Sequence, residues 1–177
     1  MKKYFIFVIA IVALVVMASG CTSQNSNNNT ATKTYSANGI SFNYPSDWSV
    51  LNETSTENLT AVIIGDVNYN QSNGTAGNGL IVLKIPQSTN TSTQVTNIKK
   101  QFTNGTNSTI TISGVSANLT SINASANNIT AQFKFVDFSK NNFTYLLQYT
   151  TVSNGTVTPE SIFDNITSSL QVTWRHF

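Results

Sequence analysis

Nucleophilic, acid–base and metal chemistry draw on few side-chain types, and this 177-residue chain holds one cysteine, Cys21, one histidine, His176, and seven acids. A serine or threonine nucleophile needs a base beside it. His176 stands next to the C-terminus in a loose tail, so a Ser-His-Asp site is not expected. Glycoside hydrolysis needs two carboxylates converging at about 5–9.5 Å. Glu53 and Glu57 fall in a polar turn region, and Glu160 and Asp164 share a helix face where capping and solvation account for them. With no convergent set, neither an enzyme nor a cofactor is expected.

The best ligand-like stretch is DVNYNQS at 66–72, where Asp66, Asn68 and Asn70 place oxygen side chains at alternate positions, as a calcium loop begins. The match then fails. Gln71 stands where the sixth-position glycine makes the turn, and Gly77 where a bidentate Glu closes the site. A solvated loop is the better reading, with calcium or small-ligand binding by the 66–79 loop as the alternative.

Cys21 has no His, Cys or basic cluster beside it to lower its pKa, which argues against a reactive thiol. Its sequence context suggests another use. Residues 1–20 have a secretory layout: Lys2 and Lys3 precede an apolar run from Tyr4 to Met17, and Ala18-Ser19-Gly20 suit a signal peptidase. The run is shorter than the 18 or more residues of a spanning helix and has no basic stop after it. Met17-Ala18-Ser19-Gly20-Cys21 resembles a lipobox, in which the cysteine becomes the first mature residue and carries lipid; Ala18 replaces the usual Leu. The expected organisation is a signal peptide over 1–20, a lipidated disordered tether over 21–33, and one domain over 34–177. The tether stretch TSQNSNNNTAT has no apolar residue beyond Ala31 and cannot bury enough surface to fold.

Removing Lys2 and Lys3 leaves seven basic and seven acidic side chains, so no basic face for nucleic acid is expected. With one cysteine there is no intrachain disulfide, and burial with backbone hydrogen bonding must hold the domain. Charged residues are only 9% of the chain, and neutral polar groups supply solubility. Fourteen Asn-x-Ser/Thr triplets exceed what composition alone produces. Asn58, Asn73, Asn104, Asn107, Asn142 and Asn154 are candidate glycan acceptors on an exported surface.

From Thr34 the pattern is alternation and turns. Asn38-Gly39 predicts a type I′ hairpin, with Ile40, Phe42 and Tyr44 on one face of the following strand. Trp48 and Val50 are expected to return to the core. LTAVIIGDV at 59–67 and LIVLKIP at 80–86 predict central strands around a loop. Val95, Ile98 and Phe102 recur at helical spacing and predict an amphipathic helix over 91–102. An antiparallel meander is expected from about 108 to 152. Thr158-Pro159-Glu160 then opens a second helix with Ile162, Phe163, Ile166 and Leu170 as its apolar stripe, and LQVTW adds a short last strand.

The stretch YSANGISFNYPSDWSV, with Gly39, Phe42, Tyr44, Pro45 and Trp48, resembles the opening hairpin of the PsbP family. IIGD at 63–66, ISGVSAN at 112–118 and IFDNITSSLQV at 162–172 extend the resemblance over roughly 35–173. It implies an α+β fold, an antiparallel β-sheet flanked by helices on both sides in an α-β-α sandwich. It implies no photosynthetic role, because nothing here matches a photosystem-docking segment, and its envelope lipoprotein members have no agreed activity. The expected function is a non-enzymatic cell-envelope lipoprotein on the outer face of the cytoplasmic membrane or the cell surface. Its expected partners are the membrane, through the lipid anchor, and an unidentified envelope protein.

Overall fold

The computed structural model describes residues 31–66, 77–88, 100, 104–126, 129–153 and 160–173. β1 (Thr32–Ala37) and β2 (Ile40–Pro45) form the first hairpin, and β10 (Gln171–Val172) pairs with β2 to complete a three-stranded sheet. β1 begins inside the span read as tether. Asn38 and Gly39 have φ of 53° and 75°, the type I′ geometry expected of Asn-Gly. Tyr35, Ile40, Phe42 and Tyr44 are buried on one face of this sheet.

The remaining strands are β3 (Ser49–Thr56), β4 (Leu59–Gly65), β5 (Gly79–Pro86), β6 (Thr106–Ile112), β7 (Val115–Ala126), β8 (Ile129–Lys140) and β9 (Phe143–Ser153). They build a seven-stranded antiparallel sheet in the order β3-β4-β5-β9-β8-β7-β6. The expected meander is β6 to β9, in chain order. β5 and β9 lie at its centre, where strands must be apolar on both faces. Accordingly Tyr145, Leu147 and Tyr149 are buried on one side of β9, and Leu146 on the other.

α1 (Glu160–Ser169) buries Phe163, Ile166 and Thr167, and Leu170 just beyond it continues the same stripe. Its last turn is tied to the small sheet, since the Asn43 N–H donates to Ser169 Oγ at 2.9 Å. The main core lies between one face of the large sheet and a layer made of the small sheet and α1. Trp48 stacks on Tyr149 with centroids 6.3 Å apart, and Tyr149 meets Phe163 at 5.4 Å. The opposite face of the large sheet carries a second cluster of Ile85, Phe135 and Leu146.

This architecture corrects the expected α-β-α sandwich. The described residues are mostly strand, with one helix and two antiparallel sheets, so helices do not flank the sheet on both sides. The first hairpin concentrates its apolar groups on one face, and it therefore packs as a layer beside α1 instead of extending the large sheet. The helix expected over 91–102 falls outside the described residues apart from the exposed Lys100. A second correction concerns Val50. A bulge between Val50 and Asn52 breaks the β3–β4 register on the sheet edge, leaving Val50 and Leu51 40% and 43% exposed, while Trp48 is buried as expected.

Two glycines with positive φ make different demands. A Cβ on Gly114 would meet open space, whereas one on Gly39 would sit 2.8 Å from the Thr173 backbone oxygen. Gly114→Ala should cost about 1–2 kcal/mol, the usual price of a left-handed backbone for an L-residue. Gly39→Ala should cost clearly more, because the clash adds to that term. Urea midpoints of the two variants compare them directly, and equal losses would contradict the packing described around Gly39.

Candidate functional site

Strand directions divide the domain into two poles. β1 runs from the pole where the described chain begins toward the Asn38-Gly39 turn, and β3 runs the same way toward Glu57-Asn58. The turns Ser113-Gly114 and Asn141-Asn142, with the end of β5 at Pro86, share that second end through the β5–β9 and β8–β9 registers. The entry pole carries Ala31, the neck of the 66–78 connection and the start of β3.

At the entry pole the Ser46 N–H donates to the Ala31 carbonyl at 2.8 Å, and Lys33 Nζ donates to the Trp48 carbonyl at 3.1 Å. Asp66 and Asn78 clamp the neck. The Asp66 N–H donates to the Asn78 carbonyl at 2.9 Å, while Asp66 Oδ2 accepts the Asn78 backbone N–H at 3.1 Å and its side-chain amide at 2.9 Å. Asn78 Oδ1 in turn accepts the Val152 N–H at 3.0 Å. Asp66 therefore has a structural task in closing this connection. Asn68 and Asn70, the other two residues of the calcium-like pattern, lie outside the described residues, as do Cys21, Asn73, Asn154 and His176. Among the described residues no three His, Cys, Asp or Glu side chains cluster as metal ligands.

The turn pole is joined by polar bonds between the sheets. Glu53 Oε1 accepts the Tyr35 hydroxyl at 3.0 Å and the Asn38 amide at 2.7 Å. Lys84 Nζ donates to the Asn38 carbonyl at 2.8 Å and lies 4.4 Å from the centre of the Phe143 ring, and burial lowers its pKa. Lys140 donates to the Ser113 carbonyl and to Ser113 Oγ, and that hydroxyl oxygen also accepts the Val172 N–H at 3.2 Å. These bonds fix the positive φ of Ser113, which a non-glycine residue adopts only when its surroundings determine it. The Thr173 N–H donates to the Gly39 carbonyl, and the Gln87 N–H to that of Asn142, each at 2.9 Å.

Sequence reasoning placed Glu53 in a turn, whereas it is a strand residue whose partners come from the other sheet. It missed Tyr35 and Lys84 as partners in this seam, because contacts across sheets leave no periodicity in one strand. Glu160 holds Lys134 at 3.3 Å, and Lys134 in turn lies 4.4 Å from the Phe163 ring centre. The candidate acceptors Asn58, Asn104, Asn107 and Asn142 are all exposed, on turns or at the β6 edge of the sheet.

The family model described as PsbP-like protein matches residues 6–172. The chain belongs to the PsbP-like family. Solved structures similar to this PsbP-like chain include a Bacteroides thetaiotaomicron protein, 13% identical with a TM-score of 0.47, over 77% of this chain and 46% of that one. Another is LpqN, described as involved in cell envelope biogenesis of Mycobacterium tuberculosis, 18% identical with a TM-score of 0.48, over 81% of this chain and 91% of that one. This chain thus spans less than half of the Bacteroides protein. No curated protein sequence matches it significantly.

The tyrosines make the domain sensitive to alkali. Burial pushes the Tyr145 phenol up to about 12 and Tyr149 still higher, with the Asp164 charge adding to the latter. Tyr35 rises through burial first, then through its bond to Glu53 and that carboxylate's charge. An unfolded tyrosine releases its proton near 10, so above that pH the folded state holds more protons and stability falls as pH rises toward the folded values. Below pH 10 these groups leave stability unchanged. Neither the Tyr145 nor the Tyr149 hydroxyl has a partner among the described residues. Tyr149→Phe should therefore be neutral or stabilising at pH 7 and should shift alkaline unfolding upward, as phenolate absorbance with circular dichroism would register.

Proposed function

We propose that this PsbP-like chain is a non-enzymatic accessory domain of the cell envelope, tethered outside the cytoplasmic membrane by lipid on Cys21 and presenting its turn pole to a protein partner. The separation of the poles carries the reading. The described chain starts at the entry pole, so the tether read from the sequence would attach there, and the ten residues between Cys21 and Thr32 would reach at most about 35 Å. An eight-residue strand such as β5 spans about 27 Å, which sets the scale of the distance between attachment and turn pole.

The turns also suit recognition. Asn38, Ser113, Asn141 and Asn142 all hold positive φ, and in each of the three turns they form, a carbonyl is engaged by another element, so a partner would meet preformed loops. Several acyl chains on one cysteine give durable anchoring, since each buried methylene contributes about 0.8 kcal/mol.

The anchor is tested by intact-mass analysis of the chain from its native membranes. The expected N-terminus is an acylated Cys21, and an unmodified Cys21 or a retained Met1 refutes the anchor. The partner surface is tested with a photo-crosslinking residue at Asn58 on the turn pole and, as control, at the exposed Asn123 on β7. A discrete adduct from position 58 alone is expected. Equal adducts from both positions, or none from 58, remove the assignment of this pole.

A further inference from the structure

The triplets that could accept a glycan are not equivalent once folded, and atomic detail separates them. A transferase must bind the Asn amide nitrogen and the hydroxyl two residues later together, so the segment must leave its neighbours to enter a catalytic cleft. Triplets locked on both sides, or with that hydroxyl already engaged, resist this.

Four of the described triplets, those of Asn58, Asn142, Asn165 and Asn118, are closed in one of these ways, and those of Asn52 and Asn104 are constrained differently. Asn58 and Asn142 precede Thr60 and Thr144, which lie in β4 and β9, strands paired on both sides. Thr60 is also buried and bonded to Ser55. In the helical triplet of Asn165, the buried Thr167 hydroxyl donates to the Phe163 carbonyl at 2.9 Å. Asn118 directs its own Nδ2 to Asp137 Oδ2 at 3.1 Å, and its Thr120 hydroxyl donates to Asn107. The Asn52 triplet is held through Glu53 to Tyr35 and Asn38. Gly105, inside the Asn104 triplet, lies so close to β7 that a Cβ there would fall 2.9 Å from the Ser121 oxygen.

Asn107-Ser108-Thr109 differs on each count. All three residues are exposed on β6, an edge strand of the large sheet held by a single ladder to β7. The Thr120 hydroxyl donates to Asn107 Oδ1 at 2.8 Å, which occupies the oxygen and leaves the nitrogen that takes a sugar. Within its own residues β6 carries neither charge, proline nor bulge, the devices by which an edge strand discourages pairing. The β3 edge, by contrast, has a bulge and Glu53. A bulky hydrophilic adduct at this position would cover that edge.

We propose that Asn107 is an N-glycan acceptor, modified on the outer side of the membrane by transfer from a lipid-phosphate-linked oligosaccharide; this rests on the export assumed in the proposed function. Asn107 Nδ2 forms a bond to the anomeric carbon as the bond from that carbon to the lipid-phosphate oxygen breaks. The amide proton passes to a base of the transferase, and the lipid phosphate departs.

The test is site-resolved glycopeptide mass spectrometry of the full chain from its native membranes, beside Thr109→Ala, which removes the required hydroxyl and keeps the Asn107–Thr120 bond. The expected result is sugar on Asn107, its loss in Thr109→Ala, and bare Asn118 and Asn165. A chain processed to Cys21 with bare Asn107 overturns this proposal and leaves the envelope reading intact. Sugar on Asn118 or Asn165 at equal occupancy overturns the selectivity argued from the fold. A chain that retains Met1 and carries no sugar overturns both readings.

Discussion

Tyr149 packs between Trp48 and Phe163, and this contact joins three parts of the chain that are far apart in sequence. Trp48 follows the first hairpin, Tyr149 lies on the central strand β9, and Phe163 belongs to α1. A sheet with one apolar face must cover it, and here the small sheet and α1 divide that task. The aromatic rings supply the large contact area that holds both covering elements against one strand. The connection from α1 to β10 and the bond from Asn43 to Ser169 then bring β10 back to the first hairpin.

Once those layers are seated, the polarity of the domain follows from strand direction. Antiparallel pairing returns every second connection to the same end, so the type I′ turns gather at one pole and the incoming chain stands at the other. Polar side chains then stitch the turn pole: Glu53 and Lys84 reach the first hairpin across the two sheets, while Lys140 reaches the Ser113 carbonyl within the large sheet. Two lysines are spent in this way on backbone oxygens. A chain with so few charges uses them for internal positioning as well as for solubility.

Much of the fold was legible in local pattern, for reasons that are themselves local. Asn38-Gly39 announces its turn because few residue pairs accept positive φ twice, and the stripe through Phe163, Ile166 and Leu170 follows helical geometry. The family resemblance, carried by the opening hairpin and by the segments at 63–66, 112–118 and 162–172, agrees with the match to the PsbP-like family over 6–172. The expected layers did not follow. Alternation shows that a hairpin has an apolar face and is silent on whether that face joins an existing sheet or lies across it. Val50 was misplaced for a similar reason, since a one-residue bulge changes facing without a composition signal.

The sequence by itself determined the leader-like segment with Cys21, the strand and helix periodicities, the turn types and the positions of the Asn-x-Ser/Thr triplets, because each depends on neighbouring residues. Only the tertiary structure decided that Asp66 closes a loop neck with Asn78, and that Glu53 binds across the sheet seam. It likewise decided that Asn107 stands on an open edge while Asn118 is bonded to Asp137. Those outcomes depend on which strands become neighbours. Strand neighbours are chosen by burial of distant apolar faces against one another, and identical triplets acquire different surroundings only when that choice is made.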